Sequence, residues 1–296
     1  MRVFITGAAG FIGTATTREL IANGHQVLGL ARSDANAKAL EKLGAEVHRG
    51  SLGDLDSLRR GATETDGTIH LAFIHDFSKF AENGEIDKRA IEAMGDALQG
   101  SGKPFIVTSA TGLVAPGKLA TEDMRPAVSA HVPRVSEQVG LAHAPRGVRA
   151  MVIRLPQVHG GDGKAGLVTY LLDIARRKGV VAYVGDGSDR WAAAHRLDVA
   201  RLYRLALENG VADGVYHAVA EEGVPMRQIV DVLGRALNVP VASIGKEEAG
   251  AHFGPLAMFA GLDMPASSEK TQAELGWKPT GIGLIADIGQ PGYFIV

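Results

Sequence analysis

Three glycines near the N-terminus, Gly7, Gly10 and Gly13, have the spacing of a loop that binds a diphosphate. They follow the apolar run Val3–Ile5 and precede a segment with a helical pattern, Thr14–Leu20, which predicts a strand, a tight turn and a helix. A diphosphate binds at such a junction because the first N–H groups of a helix are unpaired. Gly7 would turn the chain, Gly10 would leave room for phosphate, and Gly13 would let the helix approach the strand. The motif predicts a dinucleotide site; the alternative is an ordinary glycine-rich turn.

The residues after the second predicted strand indicate which dinucleotide binds. Arg32 and Ser33 stand there, about 20 residues past the glycine turn, where the adenosine ribose is expected. An acidic residue would accept the 2′-hydroxyl of NAD, whereas an arginine pairs with the 2′-phosphate of NADP. Arg32 therefore favours NADP, although Asp34 is a competing acid and Arg32 could be a solvated loop charge. Ser51 and Leu52 are candidate contacts to the adenine edge, largely through their backbone.

Hydride transfer also needs a donor for the charge that develops on the substrate oxygen. His75 follows the fourth predicted strand and could supply a proton near neutral pH, the alternative being a surface loop histidine. His195 lies close to Arg196 and Asp198, but no pair of ligands there has a recognised metal spacing with a third nearby. We therefore expect no metal site, and we expect Asp198 to cap a helix.

The elements that must position these residues alternate between strands and helices. This alternation predicts an α/β fold with a doubly wound parallel sheet and right-handed crossovers. The predicted strands are Val3–Ile5, His25–Leu30, Glu46–His48, Thr68–Phe73, Pro104–Thr108 and Arg149–Arg154. The helices between them are Thr14–Leu20, Ala35–Leu43, Leu55–Arg60, Asp87–Gln99 and Val135–His143.

The pattern is less regular after Leu155. We expect residues 1–155 to form a dinucleotide-binding domain, with 191–219 rejoining it through a strand at Gly214–Ala218. Residues 156–190 and 220–296 would form a smaller, interleaved substrate-binding region. Further helices are predicted at Val168–Arg177, Asp198–Asn209, Val224–Leu237, Glu247–Phe259 and Ser268–Leu275, a strand at Val180–Val184, and a loose tail at the end.

The substrate is expected in a cleft between the two regions, outside the carboxyl ends of the strands. His159 and His195 lie in segments that would border this cleft, and Trp191 could form an apolar wall. The alternative for each is a core position or a satisfied hydrogen bond.

Composition restricts the partners. The chain has 296 residues, 46% hydrophobic and 22% charged, which is ordinary for a globular protein. Its formal charge of -2 gives no reason to expect nucleic acid or an anionic membrane. It has no cysteine, and no apolar run has the roughly 18 residues of a membrane span. Since the first strand leaves no room for a leader, we expect a cytoplasmic protein with a small-molecule substrate.

Several motifs together resemble the extended and atypical short-chain dehydrogenase/reductases, a superfamily that includes nucleotide-sugar epimerases and dehydratases. They are TGAAGFIG at 6–13, HLA at 70–72, VTS at 107–109, RLPQVHG at 154–160, HRLDVARL at 195–202 and LGW at 275–277. The resemblance covers nearly the whole chain and implies a Rossmann fold; a homodimer is common in the superfamily.

The resemblance also implies roles for individual residues. Those that would contact or flank the cofactor, besides the glycines, are Phe11, Ile12, Leu71, Ala72, Phe73, Pro156 and Val158. Ser109 stands where the superfamily carries a hydroxyl that polarises the substrate. A strict alignment places Ala110 there and makes Thr111 the nearest hydroxyl. The alternative for Ser109 is a hydroxyl that binds loop backbone.

The chain departs from the superfamily at its Tyr-x-x-x-Lys pair, in which the phenol exchanges a proton and the ammonium lowers its pKa. None of the five tyrosines has a lysine four positions later. When Glu137 is aligned with the acid that often follows the motif, the tyrosine position falls on Ser129 and the lysine position on Pro133. His131 lies near this displaced position and is a third candidate donor, after Ser109 and His75.

These features favour an NADPH-dependent reductase of a small carbonyl or imine compound, with a proton donor other than tyrosine. A sugar-nucleotide epimerase or dehydratase is one alternative, but it would need the tyrosine as a reversible base. A protein that binds NADP and reports its redox state without turnover is the other.

Overall fold

The structure is a computed structural model that describes residues 1–126, 134–161, 166–291 and 293–294. The strands are β1 (Arg2–Thr6), β2 (Gln26–Ala31), β3 (Glu46–Arg49), β4 (Gly67–His70), β5 (Pro104–Ala110), β6 (Arg149–Leu155), β7 (Gln157–His159), β8 (Val181–Val184), β9 (Arg190–His195), β10 (Gly214–His217), β11 (Glu221–Pro225) and β12 (Val241–Ile244). Seven of them form one parallel sheet in the order β10-β6-β5-β4-β1-β2-β3.

Twelve α-helices lie in the described part of the chain, and those of the first two-thirds cover both faces of this sheet. They are α1 (Phe11–Ala22), α2 (Asp34–Lys42), α3 (Leu55–Thr63), α4 (Phe80–Ala97), α5 (Ser136–Leu141), α6 (Leu167–Lys178), α7 (Arg196–Asn209), α8 (Met226–Leu237), α9 (Ala249–Phe253), α10 (Ala257–Ala260), α11 (Glu269–Leu275) and α12 (Leu284–Ile288). Along β1, Val3 and Ile5 pack in one hydrophobic cluster with α1, α2 and α7, whereas Phe4 packs in another with α3 and α4. This alternation confirms the doubly wound parallel sheet, because each strand buries side chains on both faces.

The later part of the chain contains a smaller region beside the main sheet. It contains a three-stranded sheet, β11-β9-β7, and a two-stranded sheet, β12-β8, around a core that includes α6 and α8. β10 returns to the edge of the main sheet beside β6, as expected for Gly214–Ala218. Four of these short strands, β7, β9, β11 and β12, were not predicted, because none has a run of alternating apolar residues long enough to identify it.

Strand ends at the carboxyl edge differ from the prediction at two places. β4 ends at His70 rather than Phe73, because its partner β1 ends at Thr6, where the glycine loop begins. β5 continues to Ala110 rather than ending at Thr108, because β6 still pairs with it there.

The helix predicted at 247–259 is broken by Gly254, whose φ is +57°, and by Pro255. The tail contains α12.

A buried ion pair fixes α5 against the sheet. Arg154 on β6 donates two hydrogen bonds, of 2.8 and 2.6 Å, to the carboxylate of Glu137 on α5. Its Nη1 also donates to Nε2 of His217 at 2.9 Å, and Nδ1 of that ring donates to the carbonyl oxygen of Ser267. Burial, followed by the positive charge of Arg154, lowers the pKa of His217 to about 4. Because its ring stays neutral, His217 can accept from Arg154 near pH 7.

This geometry predicts a pH dependence of stability. Unfolded His217 takes up a proton near its usual pKa of 6.5, while the folded ring does so only near 4, so stability falls as the pH is lowered between those values. The cost of H217Q in free energy of unfolding should therefore be about 2 kcal/mol smaller at pH 5 than at pH 7. Urea denaturation followed by tryptophan fluorescence measures it, with the exposed Lys38→Gln as control. An equal cost of H217Q at both pH values contradicts the prediction.

Candidate active site

The glycine loop between β1 and α1 packs directly on the loop that follows β4. Gly7 has φ +73°, and a Cβ there would lie 2.8 Å from the backbone nitrogen of Ala72. A Cβ at Gly13 would lie 2.0 Å from the carbonyl oxygen of Gly7, so α1 can approach the turn only with glycine at this position. At Gly10 a Cβ would meet only the Gly7 oxygen, at 3.1 Å. Two of the three glycines are thus required by backbone contacts.

The N-terminus of α1 is suited to a diphosphate. Gly10 precedes the 12-residue helix and supplies no side-chain cap, so the first N–H groups are available to an anion. Phe11 and Ile12 are its first residues, and the Arg196 guanidinium lies 5.1 Å from the centre of the Phe11 ring. Gly7 and Gly13 keep the turn tight, and the first N–H groups of α1 point out of it. The loop therefore fits the diphosphate of a dinucleotide.

The loop after β2 contains the residues expected near the adenosine ribose. Ser33 caps α2, accepting a hydrogen bond of 3.2 Å from the Asn36 backbone. Asp34, the competing acid, lies 2.8 Å from Arg49 in an exposed ion pair. Arg32 is exposed and forms no ion pair within the described part of the chain.

The predicted adenine contacts differ in exposure. Ser51 is exposed, whereas Leu52 packs partly into the core on the α3 side of the sheet.

Because β4 ends at His70, Leu71, Ala72 and Phe73 form a loop rather than the end of a strand. The Leu71 and Ala72 backbone nitrogens donate to the carbonyl and hydroxyl oxygens of Thr6, both at 3.2 Å. His75 therefore stands five residues past the strand, with Nδ1 3.1 Å from the Phe73 carbonyl oxygen. The residue is exposed, yet packing around its ring, followed by the charge of Arg134, lowers the pKa of His75.

A buried hydrogen-bond chain starts at the ends of β1 and β4. The His70 ring lies between Thr6 and Asp87, with Nδ1 2.8 Å from the Thr6 hydroxyl and Nε2 3.0 Å from a carboxylate oxygen of Asp87. Burial by itself raises the pKa of Asp87, but the hydrogen bond and charge of His70 outweigh it and hold that pKa below its usual range. The other carboxylate oxygen accepts from Ser136 at 2.5 Å.

Arg134 continues this chain to the surface of the site. Its Nε donates to the Ser136 hydroxyl at 2.8 Å, and its Nη2 donates to the Thr108 carbonyl oxygen at 2.9 Å. The guanidinium lies 4.1 Å from the centre of the Phe73 ring, which gives a cation–π contact. The Thr108 hydroxyl in turn lies 2.7 Å from Tyr203, and burial raises the pKa of that phenol. A positive charge is thus held beside the loop that carries His75.

The predicted hydroxyl group lies inside a strand. Ser109 belongs to β5 and is 8% exposed, and its hydroxyl makes no hydrogen bond with the described residues. Thr111 lies just beyond β5, and its hydroxyl donates a long hydrogen bond of 3.4 Å to the Leu155 carbonyl oxygen. His131, the third candidate donor, lies outside the described residues.

The loop after β6 joins the main sheet to the smaller region. Pro156 separates β6 from β7, and Val158 is buried in β7. His159 is buried with Nδ1 2.7 Å from a carboxylate oxygen of Asp287 on α12, while its Nε2 has no partner in the described part of the chain. The phenol of Tyr170 on α6 lies 3.4 Å from the His75 carbonyl oxygen. The smaller region thus contacts the loop after β4.

The other two predicted substrate contacts, Trp191 and His195, have structural roles. Trp191 is 1% exposed and packs in the core of the smaller region. His195 caps α7 by accepting from the Leu197 nitrogen, so the prediction of Asp198 as the cap was wrong. Asp198 lies in the first turn of the helix and instead accepts from the backbone nitrogens of Thr280 and Gly281. No cluster of metal-ligating side chains occurs among the residues that the structure describes.

Sequence reasoning missed His70, Asp87, Arg134 and Tyr203. His70 is the first residue of the HLA motif, but its partner Asp87 is 17 positions away and no spacing links them. Arg134 directly follows the displaced lysine position, Pro133, and that proximity was the one available signal.

A family model described as the NAD-dependent epimerase/dehydratase family matches residues 3–220. The chain belongs to this family. Membership supports an oxidoreductase-type enzyme with a nicotinamide cofactor, in agreement with the loop described above.

Several proteins are similar to this family member. An uncharacterized protein of Saccharomyces cerevisiae is 49% identical, covering 97% of this chain and 98% of its own. The 2-alkyl-3-oxoalkanoate reductase of Stenotrophomonas maltophilia is 28% identical, covering 81% of this chain and 77% of its own. The structure of UDP-glucose 4-epimerase from Thermotoga maritima with UDP-glucose superposes with a TM-score of 0.77 at 19% identity, covering 100% of this chain and 98% of its own. The last similarity shows the fold alone.

The glycine loop yields a test of cofactor binding. Gly10 has extended backbone angles, φ -80° and ψ 179°, that any residue adopts, but a Cβ there lies 3.1 Å from the Gly7 carbonyl oxygen, so circular dichroism is used first to select folded G10V. If the diphosphate lies against this position, the valine side chain excludes it, and affinity for reduced nicotinamide dinucleotide should fall about tenfold or more. Isothermal titration calorimetry measures the affinity, with G250A as control because a Cβ there meets no atom within 4 Å. Unchanged affinity in a folded G10V would place the diphosphate elsewhere.

Proposed function

We propose that this protein is an NADPH-dependent reductase of a small carbonyl or imine compound. One observation carries the proposal: the glycine loop packs on the loop after β4, with Gly7 against the Ala72 backbone. The dinucleotide cradle and the polar groups around His75 therefore form one continuous edge of the sheet, at the carboxyl ends of the strands where ligands bind in this kind of fold.

Two relatives support a reaction at an oxygen-bearing carbon. One is the 2-alkyl-3-oxoalkanoate reductase described above. The other is the sterol-4-alpha-carboxylate 3-dehydrogenase, decarboxylating, of Dictyostelium discoideum, which is 28% identical over 248 residues. Both names describe oxidation or reduction of a hydroxyl or oxo group. This favours a reductase over the epimerase, which would also need the absent tyrosine.

Named groups of the chain would hold the cofactor. The loop from Gly7 to Gly13 would bind the diphosphate, Leu71 to Phe73 would flank the cofactor, and Arg32 would pair with the 2′-phosphate. When bound, NADPH supplies a hydride to the electrophilic carbon of the substrate. The protein contributes orientation of that carbon and a hydrogen-bond donor for its oxygen.

His75 is the proposed donor. Because Nδ1 donates to the Phe73 carbonyl oxygen, Nε2 carries a proton only in the imidazolium form. In that form Nε2 would give its proton to the substrate oxygen as the hydride reaches the carbon, and the lowered pKa makes the imidazolium a stronger acid. Asp76 follows it and caps the turn 77–79, which fixes this end of the loop. Ser109 and His131 remain the other candidate donors.

Turnover is tested by following the absorbance of NADPH with a panel of aldehydes, ketones and cyclic imines. Consumption with any member is expected. Tight NADPH binding without consumption across the panel would favour a redox sensor, and interconversion of sugar nucleotides without net NADPH consumption would favour an epimerase.

The cofactor preference is tested at Arg32. In R32E the carboxylate repels the 2′-phosphate and accepts the 2′-hydroxyl, so the ratio of NADPH to NADH affinity should fall by about 100-fold. Calorimetry with both dinucleotides measures this ratio. R49E is the matched control, because Arg49 is exposed nearby and pairs only with Asp34 among the described residues. An unchanged ratio in R32E would show that the ribose contact lies elsewhere.

The donor is tested at His75. H75A should lower kcat by about 100-fold, the usual contribution of one acid–base group, with little change in NADPH affinity. Steady-state kinetics and calorimetry measure the two effects, with H25A, just before β2 at the amino edge of the sheet, as control. S109A and H131A test the remaining candidates. Full activity in H75A would exclude His75 as the donor.

A further inference from the structure

The guanidinium of Arg134 has no carboxylate partner in the described part of the chain and lies at the carboxyl edge of the sheet. Arg149 also lacks one, but it lies at the amino end of β6 and donates to the carbonyl oxygens of Gly210 and Leu207. Arg154 is wholly buried and pairs with Glu137, and Arg204 pairs with Glu19 and Glu208. Among the described residues, Arg134 makes no ion pair, although it is only partly exposed.

The nearest acid, Asp87, forms no ion pair with Arg134, and its charge offsets only part of the effect of burial on the pKa of Arg134. Both carboxylate oxygens of Asp87 are already bonded, one to His70 and the other to Ser136. Arg134 reaches Asp87 only through the hydroxyl of Ser136. Burial lowers the pKa of Arg134, the direction expected of a cation that is incompletely compensated.

The side chain is nevertheless held in one place. Nε and Nη2 are bonded to Ser136 and Thr108, and the plane of the group rests on the Phe73 ring. Nη1 makes no hydrogen bond within the described part of the chain. A fixed guanidinium with an available N–H edge matches a carboxylate, which accepts such bonds strongly.

The position of Arg134 sets how far this carboxylate can be from the reacting group. Arg134 is bonded to the residue before Ser109, and its charge is among the causes that lower the pKa of His75. The cofactor diphosphate is expected at the start of α1 and the 2′-phosphate at Arg32, which follows β2. Arg134 lies beside β5, and β4 and β1 separate β5 from β2, so neither phosphate is the anion for Arg134. The carboxylate must therefore belong to the substrate, close to its carbonyl.

We propose that Arg134 binds a carboxylate of the substrate and that the substrate class is a short oxo acid, with the carboxylate one or two carbons from the reducible carbonyl. This inference rests on the proposed reductase activity and names the substrate class of the same site. The anchored guanidinium selects the acid over its neutral derivatives. His75, the proposed donor, then faces the carbonyl oxygen of the substrate.

The kinetic test compares an oxo acid with its ester. Acetoacetate and methyl acetoacetate are reduced by wild type, R134Q and R134K, and NADPH consumption is measured. Wild type should prefer the acid, and R134Q should lower kcat/KM for the acid by about 10- to 100-fold while changing the ester less than threefold. R134K, which keeps the charge without the planar fork, should retain part of the preference. R125Q is the control, because Arg125 also donates to backbone carbonyl oxygens and makes no ion pair in the described chain.

A binding test does not depend on turnover. Calorimetry with the full chain saturated with NADP⁺ compares 3-hydroxybutyrate with its methyl ester. The acid should bind more tightly to wild type and lose that advantage in R134Q. Circular dichroism and the midpoint of thermal unfolding show whether R134Q folds. If it does not, the acid and the ester are compared with R134K in both assays, and that comparison tests the proposal.

The outcomes separate the two proposals. If no carbonyl compound is reduced but the acid binds through Arg134, the reductase proposal fails and the carboxylate site stands. Equal use and equal binding of acid and ester by wild type would overturn the carboxylate site. An equal loss for acid and ester in R134Q would also overturn it and would assign Arg134 to the oxyanion or to the cofactor instead.

Discussion

A buried chain of hydrogen bonds from Thr6 to Arg134 determines how the carboxyl edge of the sheet is arranged. His70 and Asp87 form its centre and join the ends of β1 and β4 to the long helix α4. Ser136 extends it to the start of α5. Buried polar groups of this kind are costly unless each finds a partner, so the network admits one arrangement of these loops. That constraint is what holds a cation in a fixed position beside a short loop that begins with the apolar residues Leu71–Ile74.

A second buried network keeps this edge from shifting. Arg154 and Glu137 connect β6 to α5 one residue beyond Ser136. Removing either partner would leave an isolated buried charge, so the pair fixes the register of α5 against the sheet more than it adds stability. The two arginines thus have different roles: Arg154 is fully paired inside the protein, whereas Arg134 is anchored but not neutralised. The proposed carboxylate site rests on this difference together with the position of Arg134 beside the loop after β4.

The sequence allowed the sheet to be predicted because its strands are apolar runs separated by glycines and helices with clear periodicity. The glycine loop was located for the same reason: spacing in the chain corresponds directly to spacing in a turn. The cluster around Arg134 could not be located this way. His70, Asp87 and Arg134 are far apart in sequence and become neighbours because α4 and the start of α5 pack against each other beside the ends of β4 and β5. The apolar Trp191 and the capping His195 show the converse, since residue type alone does not distinguish a cleft wall from a core or a cap.

The C-terminal quarter of the chain completes the edge that the family model, ending at residue 220, leaves open. Asp287 on α12 binds the buried His159, and the Tyr293 hydroxyl accepts from the Gly160 nitrogen, so the loop after β6 is held from the far end of the chain. Tyr170 on α6 reaches the loop after β4. The glycine loop lies in the matched part, whereas the supports from Asp287 and Tyr293 come from beyond residue 220. The glycine loop can therefore be shared across the family while the supports of the loop after β6 vary. This separation explains how one fold serves relatives named as epimerases, reductases and dehydrogenases.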